Sequence, residues 1–250
     1  MGPVRAEVMR QSVLDAVRIA GGDDRALTIL DLGGGTGGDA VRLAQLGHTV
    51  TVVDPSPDAL ASLQRRAAEA GLGQPASSGG SVSGVLGDTT DLPDHVADGT
   101  VDLVVCHGVL EVVDDDAGAL ASIARVLRRG GYVSVVVGGR RAAVVARALA
   151  GDFAGASRVL GTPAESWDTR DDGPRRYVPD EVEALLVAQG LTPVETYALR
   201  VFADLVPGAL VDIEPGARDA LYALERLVRD DAGFAALAVG LQHIARLDLA

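Results

Sequence analysis

Apolar and polar positions alternate in blocks along the first 138 residues of the chain. Short apolar runs, each ended by a glycine or a polar residue, predict strands, and the segments between them carry apolar residues at helical spacing. The predicted strands cover 26–32, 48–54, 82–88, 100–108 and 132–138, and the predicted helices cover 4–20, 37–46, 57–70 and 115–131. Strands that alternate with helices favour a parallel sheet covered on both faces.

The pattern changes at about residue 151. Residues 151–178 are polar, are interrupted by glycine and proline, and contain the single tryptophan, so we expect an insertion or lid over the ligand edge of the sheet, after the fifth strand. Two helices and two strands follow, at 180–189, 216–230, 191–200 and 238–248. We therefore expect one α/β domain over 1–250, with a doubly wound, seven-stranded, mostly parallel sheet, a core at 1–150 and a completing segment at 179–250.

Composition narrows the class of protein. A hydrophobic content of 48% and a mean hydropathy of +0.23 indicate a globular chain, without an apolar run long enough to cross a bilayer and without a signal-peptide core. The net charge of −13, with every basic residue an arginine, disfavours general binding to a phosphate backbone but is compatible with a local arginine patch. The single cysteine, Cys106, excludes an intramolecular disulfide and a cysteine-based zinc site. We expect a cytoplasmic protein without a metal or a membrane segment.

The stretch LDLGGGTGG, residues 30–38, places a glycine-rich turn between a predicted strand and a predicted helix. Gly33, Gly35 and Gly38 match the G-x-G-x-x-G dinucleotide pattern, which alone is a weak signal. Asp54 ends the second strand about twenty residues further on, where a carboxylate accepts both hydroxyls of an adenosine ribose. NAD and S-adenosylmethionine both contain that ribose, and Asp54 also suits the N-cap of the helix that begins at Pro57.

Two other acids distinguish these cofactors. Asp31 lies immediately before the glycines, where it would repel a pyrophosphate but suits an ammonium group. Asp88 ends the third strand, where a carboxylate can accept from an adenine amino group. The charges around the glycines therefore favour S-adenosylmethionine over NAD.

Five motifs between about residue 30 and residue 137 occur in the order typical of one protein class. They are DLGGGTG, VVDPS, GDTTDL, DLVVCHGVLE and LRRGGYV. Together they resemble the class I S-adenosylmethionine-dependent methyltransferases, and the resemblance implies a Rossmann-like fold. The segments GPVR, HGVLEVVDD, AGDFAGA, GLTPVETYALRVFADL and ALYALERLVRD extend it to the bacterial tRNA 5-carboxymethoxyuridine carboxyl-methyltransferase family.

This resemblance implies a set of cofactor contacts. The carboxylate of the cofactor is expected at Arg5, its ribose at Asp54 and the methyl-transfer position at His107. The methionine part is expected at Gly33, Gly34 and Gly35, with Asp31 beside them, and the adenine at Asp88, Thr89 and Thr90. The acceptor pocket is expected from the segment 179–250. The acidic stretch GTPAESWDTRDD departs from the family, which has a run of lysines there, so both a modified tRNA and a small molecule stay open as acceptors.

His107 and Arg200 are the predicted catalytic residues. His107 could contact the cofactor or act as a base, and Arg200 could pair with a carboxylate acceptor, which is ionised at neutral pH and needs no base. Further candidates, each with a structural salt bridge or packing as the alternative, are Glu111, Arg175, Arg176, Trp167 and Tyr177. His48 lies at the opposite end of the predicted sheet and is excluded.

The predicted function is transfer of a methyl group from S-adenosylmethionine to an oxygen acceptor, with a carboxylate preferred. Two acceptors are considered, 5-carboxymethoxyuridine in tRNA and a small molecule of secondary metabolism. An NAD(P)-dependent oxidoreductase and a non-catalytic module that only binds the cofactor are the alternatives from other classes. The sequence does not predict an oligomeric state.

Overall fold

The computed structural model describes residues 2–72, 79–89, 92–163, 166, 167, 169 and 173–249. Within them the chain forms a seven-stranded sheet in the order β3-β2-β1-β4-β5-β7-β6. The strands are β1 Thr28–Leu32, β2 Thr49–Asp54, β3 Ser81–Leu86, β4 Val101–His107, β5 Leu127–Gly138, β6 Leu191–Leu199 and β7 Gly240–Leu247. The predicted seven-stranded, mostly parallel sheet is confirmed.

The directions of the strands identify the edge of the sheet where a ligand would bind. Strands β1 to β5 pair in parallel, whereas β7 is antiparallel to both β5 and β6. Strand β6 therefore runs in the same direction as β5, and Gly138, Gly240 and Leu199 lie side by side where these strands meet the edge. The order reverses between β1 and β4, and the crevice outside such a reversal is where open α/β sheets bind ligands.

Helices cover both faces of the sheet. They are α1 Pro3–Ile19, α2 Gly38–Gln45, α3 Pro57–Glu69, α4 Leu92–His95, α5 Asp116–Val126, α6 Arg140–Leu149, α7 Phe153–Gly161, α8 Pro179–Ala188, α9 Gly208–Ile213, α10 Ala217–Val228 and α11 Ala232–Ala235. One core packs α1, α2 and α3 on the sheet around Val17, Leu43 and Leu63. The other packs α5 and α8 on the opposite face around Ile123 and Leu186. The sheet is thus doubly wound, as predicted.

One predicted boundary is wrong. The helix expected over 115–131 ends at Val126, and β5 begins at Leu127 rather than at 132. The arginine and glycine residues there read as a helix C-terminus, but Asp102 of β4 accepts from the Arg128 side chain and holds it in the sheet. Leu127 pairs with Val101 across the two strands. A contact across strands therefore outweighs the local helical signal.

The segment after β5 is more helical than predicted. Helices α6 and α7 pack on each other, and residue 151, where the insertion was predicted to begin, lies in the turn between them. Asp152 caps α7 by accepting from the Gly155 amide at 2.9 Å. The chain returns to the sheet at Tyr177, which bridges to Gly139. In the described part of the chain, no helix is both long and apolar enough to span a membrane.

Candidate active site

The glycine-rich turn joins β1 to α2 at the point where the strand order reverses. The Gly33 amide donates to the Val53 carbonyl at 2.8 Å, which ties the turn to β2. Gly33 has a φ of +69°, and a Cβ there would lie 2.6 Å from a methyl group of Val109. A Cβ at Gly34 would overlap the Asp31 carboxylate. Both positions therefore require glycine so that the backbone stays open to a ligand.

Two cavities meet at this turn. The larger, about 550 Å³, lies outside the ends of β1 to β4, and the smaller, about 380 Å³, lies between the turn, α1 and α2. Gly33 and His107 line both cavities. Of the predicted cofactor residues, the larger cavity also contains Asp54, Asp88 and Thr89, and the smaller contains Asp31 and Gly34. Thr90 lies outside the described residues.

Asp31 brings a carboxylate into the smaller cavity. Burial raises its pKa to about 7, and the nearby carboxylates of Asp39 and Asp54 act in the same direction. An ammonium group placed against Asp31 would relieve that repulsion, because a nearby opposite charge favours the ionised form. Arg10 and Arg42 also line the smaller cavity. The cavity therefore offers a carboxylate for the ammonium group of an amino acid and guanidinium groups for its carboxylate.

Asp54 joins two turns at the edge of the sheet. One carboxylate oxygen accepts from the Gly35 amide at 2.9 Å and the other from the Ser56 amide at 2.8 Å. The N-cap of α3 is Ser56, whose hydroxyl accepts from Ala59, so the alternative that Asp54 caps this helix is wrong. The Gly35 amide is engaged by Asp54, and Gly35, which was predicted to lie at the methionine part, lines neither of the two cavities.

Arg5 lies away from the smaller cavity. Its Nε donates to the Ala203 carbonyl at 3.1 Å and lies 2.5 Å from Asp204 Oδ1. Arg10 lines the cavity instead and pairs with Glu7. The two arginines are five residues apart on α1, so their side chains leave the helix roughly 140° apart. Helical spacing was the signal that could have identified Arg10.

Arg200 follows β6 at the same edge of the sheet. Its φ of +59° is left-handed, which is uncommon for a residue other than glycine. Its Nε donates to Asp204 Oδ2 at 2.8 Å, so Arg200 and Arg5 share one carboxylate. The next three amides all donate to the buried carboxylate of Glu225 on α10, at 2.9, 2.9 and 2.7 Å. Glu225 therefore fixes the turn that carries Arg200. No local sequence pattern predicts this role of Glu225.

Glu111 and Arg176 complete this edge. Glu111 Oε1 accepts from the Gly138 amide at 2.6 Å and lies 3.3 Å from Arg176 Nη1. Burial raises the pKa of Glu111, and the positive charges of Arg176 and Arg200 partly oppose that shift. A Cβ at Gly138 would overlap the Arg176 guanidinium, so this glycine makes room for the cation.

Three other candidates have structural contacts. Arg175 pairs with Asp116 at 2.5 Å, and the Tyr177 hydroxyl donates to Leu110 and Asp116 at 2.8 and 3.1 Å. The Trp167 ring is buried, and its Nε1 donates to the Gly173 carbonyl at 3.0 Å. Packing and internal pairing therefore account for these three side chains.

His107 ends β4 between the two cavities. Burial lowers its pKa to about 3, so the ring is neutral at pH 7. Its Nε2 lies 2.8 Å from the hydroxyl of Ser134. His48 is at the opposite end of the sheet, where its Nδ1 accepts from the Leu27 amide at 3.1 Å, in agreement with its exclusion. Among the residues that the structure describes, no three metal-binding side chains form a group.

The strand order, the antiparallel β7 and the glycine-rich turn at the reversal define the fold of class I methyltransferases. Residues 30–135 match a family model described as a methyltransferase domain. This match lies within the region predicted to bind the cofactor, and it supports the predictions of a class I methyltransferase and of S-adenosylmethionine as the cofactor.

Curated relatives match part of the chain. The tRNA 5-carboxymethoxyuridine methyltransferase of Escherichia coli K12 is 29% identical over 152 residues, which are 61% of this chain and 55% of that protein. An uncharacterized methyltransferase of Mycobacterium bovis is 36% identical over 111 residues, 44% of this chain and 40% of that protein. The chain thus spans about half the length of the curated relatives it matches.

Solved structures share the fold over almost the whole chain. The geranyl diphosphate C-methyltransferase of Streptomyces coelicolor, solved with S-adenosyl-L-homocysteine, superposes with a TM-score of 0.62 at 16% identity, covering 96% of this chain and 77% of that one. The [4+2]-cyclase SpnF superposes with a TM-score of 0.60 at 20% identity, covering 91% and 77%. These similarities show the fold alone.

Proposed function

We propose that this protein transfers a methyl group from S-adenosylmethionine to a carboxylate oxygen. The observation that carries the proposal is the arginine cluster, formed by Arg5, Arg176 and Arg200 at the carboxyl edge of the sheet. Asp204 joins Arg5 to Arg200, and Glu111 lies against Arg176. This edge adjoins Gly108, which lines the larger cavity and approaches Glu111. Arginine at such a position suits bidentate binding of a carboxylate.

The two cavities fit the two halves of the cofactor. In the smaller cavity, Asp31 would receive the ammonium group and Arg10 the carboxylate of the methionine part. In the larger cavity, Asp54 would accept from the ribose hydroxyls and Asp88 would face the adenine, with Val109 and Val112 along the apolar ring faces. Gly33 and His107, which line both, would then lie near the sulfonium. In this division residues 1–150 bind the cofactor, and the later segments, together with Arg5, line the acceptor pocket.

The chemistry requires little from the chain beyond placement. When bound, the cofactor would supply an electrophilic methyl group on a sulfonium, whose carbon–sulfur bond would break as the acceptor oxygen bonds the methyl carbon, leaving neutral S-adenosylhomocysteine. A carboxylate has a pKa of about 4, so it is ionised at pH 7 and no residue has to remove a proton. The arginine cluster holds the acceptor in line with the methyl group, and such placement can contribute up to about 7–11 kcal/mol.

The carboxylate we propose first is that of 5-carboxymethoxyuridine in tRNA. The E. coli relative carries that activity in its name, and the arginine cluster sets three guanidinium groups against the two carboxylates of Asp204 and Glu111, a local excess of positive charge in a chain of net charge −13. The arginine cluster is small, and a carboxylic acid of low molecular mass would offer it the same carboxylate group. The wobble nucleoside and the small acid are therefore two carriers of one acceptor chemistry.

The test uses labelled cofactor and two separate acceptor pools. Purified protein is incubated with methyl-labelled S-adenosylmethionine and either total bacterial tRNA or a nucleic-acid-free metabolite extract. Mass spectrometry of nucleosides and metabolites then locates the label. We expect label in a carboxymethoxyuridine ester of the tRNA pool. Label found in the metabolite pool alone would overturn the tRNA assignment and retain the methyltransferase.

Two results would argue against methyl transfer as the function. Calorimetric binding of NAD(P) without binding of S-adenosylhomocysteine would favour the oxidoreductase alternative. Tight binding of S-adenosylhomocysteine with no transfer to either pool would favour a non-catalytic module.

A further inference from the structure

A chain of hydrogen bonds through the core connects His107 with the main chain of α1. His107 Nε2 lies 2.8 Å from Ser134 Oγ on β5. Gln242 Nε2 on β7 donates to the same Ser134 oxygen at 2.9 Å and to the Ser12 carbonyl at 2.8 Å. Ser134 and Gln242 are fully buried. These contacts belong to side chains that the proposed methyl transfer has not used.

The donor and the acceptor of each hydrogen bond in this series can be assigned by starting from the Ser12 carbonyl. A carbonyl oxygen only accepts, so the amide of Gln242 must turn its NH₂ group toward Ser12. The same nitrogen reaches Ser134, whose oxygen is therefore an acceptor. A hydroxyl has one proton, and the nitrogen of His107 is the partner within reach of it. Nε2 of His107 is then an acceptor, and the ring proton is on Nδ1.

We infer that Ser134 and Gln242 are positioning residues that hold His107 as its neutral Nδ1–H tautomer, so that the ring donates a hydrogen bond into the cleft and does not act as a general base. The part of this inference that concerns methyl transfer rests on the proposed function, whereas the tautomer does not. The proton on Nδ1 is the one that the ring offers to a bound ligand, and His107 lines both cavities.

The opposite tautomer would leave a buried proton without a partner. If Nε2 of His107 donated to Ser134, the Ser134 oxygen would accept twice and its own proton would have to find another acceptor. Within the described residues, the hydrogen bonds of the Ser134 hydroxyl are those with His107 Nε2 and Gln242 Nε2, and the buried Gln242 Oε1, which has no partner, is not hydrogen bonded to it. Burying an unpaired donor is unfavourable, so the Nδ1–H form is the one the core selects.

A donor at this position agrees with a carboxylate acceptor. An ionised carboxylate accepts hydrogen bonds and needs no base, so an Nδ1–H group can orient it or the cofactor without a proton leaving the site. Removing Ser134 would free Nε2 and let both tautomers form. We therefore expect the loss to fall on the turnover rate more than on cofactor affinity.

The tautomer is measured directly by long-range ¹H–¹⁵N NMR on the full chain with ¹⁵N-labelled histidine. The chain contains four histidines, and His48 serves as an internal reference, because its Nδ1 accepts from Leu27 and its proton must be on Nε2. We expect His107 to show the reverse pattern, with Nδ1 protonated and Nε2 bare. A His107→Gln variant assigns the signals.

Variants then test the two positioning residues. In Ser134→Ala and, independently, Gln242→Met, the His107 nitrogens should move toward averaged shifts, and kcat should fall roughly tenfold with little change in the KM for the cofactor. Ser134→Thr keeps the hydroxyl and should restore the wild-type nitrogen pattern. A protonated Nε2 in the wild-type protein, or an unchanged pattern in a folded Ser134→Ala or Gln242→Met protein, would overturn the inference. Absence of methyl transfer would leave the NMR result valid and would count against the proposed function alone.

Discussion

Asp31 is the residue whose charge decides what the smaller cavity binds. Its pKa of about 7 means that the empty site holds a proton through much of the neutral range, because a buried carboxylate beside Asp39 and Asp54 resists ionisation. A ligand ammonium group requires the ionised form. Binding and deprotonation at Asp31 are therefore linked.

This linkage predicts a pH-dependent affinity. Affinity for S-adenosylhomocysteine should rise by roughly 25-fold between about pH 5.5 and about pH 7.5, because the unliganded protein, in which the pKa of Asp31 is about 7, must lose that proton on binding. Calorimetry across this range measures it. Asp31→Asn should bind more weakly and with a flat profile, while Asp58→Asn, at an exposed site on α3, should behave as wild type. A flat profile in the wild-type protein would contradict the assignment of Asp31 to the ammonium group.

Arg200 is the member of the arginine cluster whose replacement separates charge from backbone strain. Asparagine tolerates the left-handed φ of +59°, so Arg200→Asn removes the cation while keeping the turn. The kcat/KM for a carboxylate acceptor should fall roughly 10- to 100-fold, the loss of a hydrogen bond to a charged group, with unchanged affinity for S-adenosylhomocysteine. Steady-state kinetics and calorimetry measure the two quantities. Arg218→Asn, which removes an exposed arginine paired with Asp212, is the control. Equal losses in both variants would count against the acceptor role.

Among the elements, the turn between β6 and α9 depends on a helix that follows it in the chain. The Glu225 carboxylate on α10 receives three main-chain amides of this turn and is buried. Arg5 of α1 holds the same turn through the Ala203 carbonyl. The position of the arginine cluster is thus set by the packing of α1 and α10 on the end of β6.

Glu225→Gln tests this arrangement. The amide keeps one oxygen but turns a donor toward one of the three N–H groups, so we expect a loss of about 1–3 kcal/mol in the free energy of unfolding. Urea denaturation measures it. Glu69→Gln, at an exposed position of α3, should change stability by less than about 0.5 kcal/mol. If the two variants were equally stable, Glu225 would not anchor the turn.

The fold was predictable wherever the signal is local. Strands β1, β2 and β4 are short apolar runs with turn residues after them, and the sequence alone places Asp31, Asp54 and His107 at their ends. The start of β5 was predicted wrongly because Arg128 is held in the strand by Asp102, which lies 26 positions earlier in the chain. The anchoring by Glu225 was missed for the same reason, since its partners are 22 to 24 positions away. Contacts of this length follow from the packing of whole elements and leave no trace in a local pattern.

For the whole molecule, buried histidines link stability to pH. Burial lowers the pKa of His107 to about 3 and of His243 to about 4, and it also lowers that of His48. The unfolded chain binds protons at these sites below about pH 6.5, whereas the folded chain does not, so their contribution is complete above that pH and is lost as pH falls. Asp31 has the opposite sign, because its raised pKa stabilises the fold below about pH 4 and that contribution is lost as pH rises through about 7.

The three histidines outweigh Asp31 and Glu111, whose raised pKa values act in the opposite direction. The free energy of unfolding should therefore fall as pH is lowered from about 6.5 to about 4.5, by about 1.4 kcal/mol per pH unit for each net proton. Urea denaturation at several pH values measures the slope. In His243→Gln the slope should decrease by about one proton, because the side chain whose pKa burial lowers to about 4 is then absent. A stability that rises on acidification would mean that these histidines are not neutral in the fold.

The central claim is that the methyl group goes to a carboxylate oxygen, and the atom that receives the label tests it most directly. A methyl ester is cleaved by mild alkali, whereas methyl groups on nitrogen or carbon are retained. After transfer from methyl-labelled S-adenosylmethionine and treatment with dilute base, we predict that the label is released as methanol from the purified product and that the free carboxylate is recovered. Label that stays on the product after the same treatment would contradict the account.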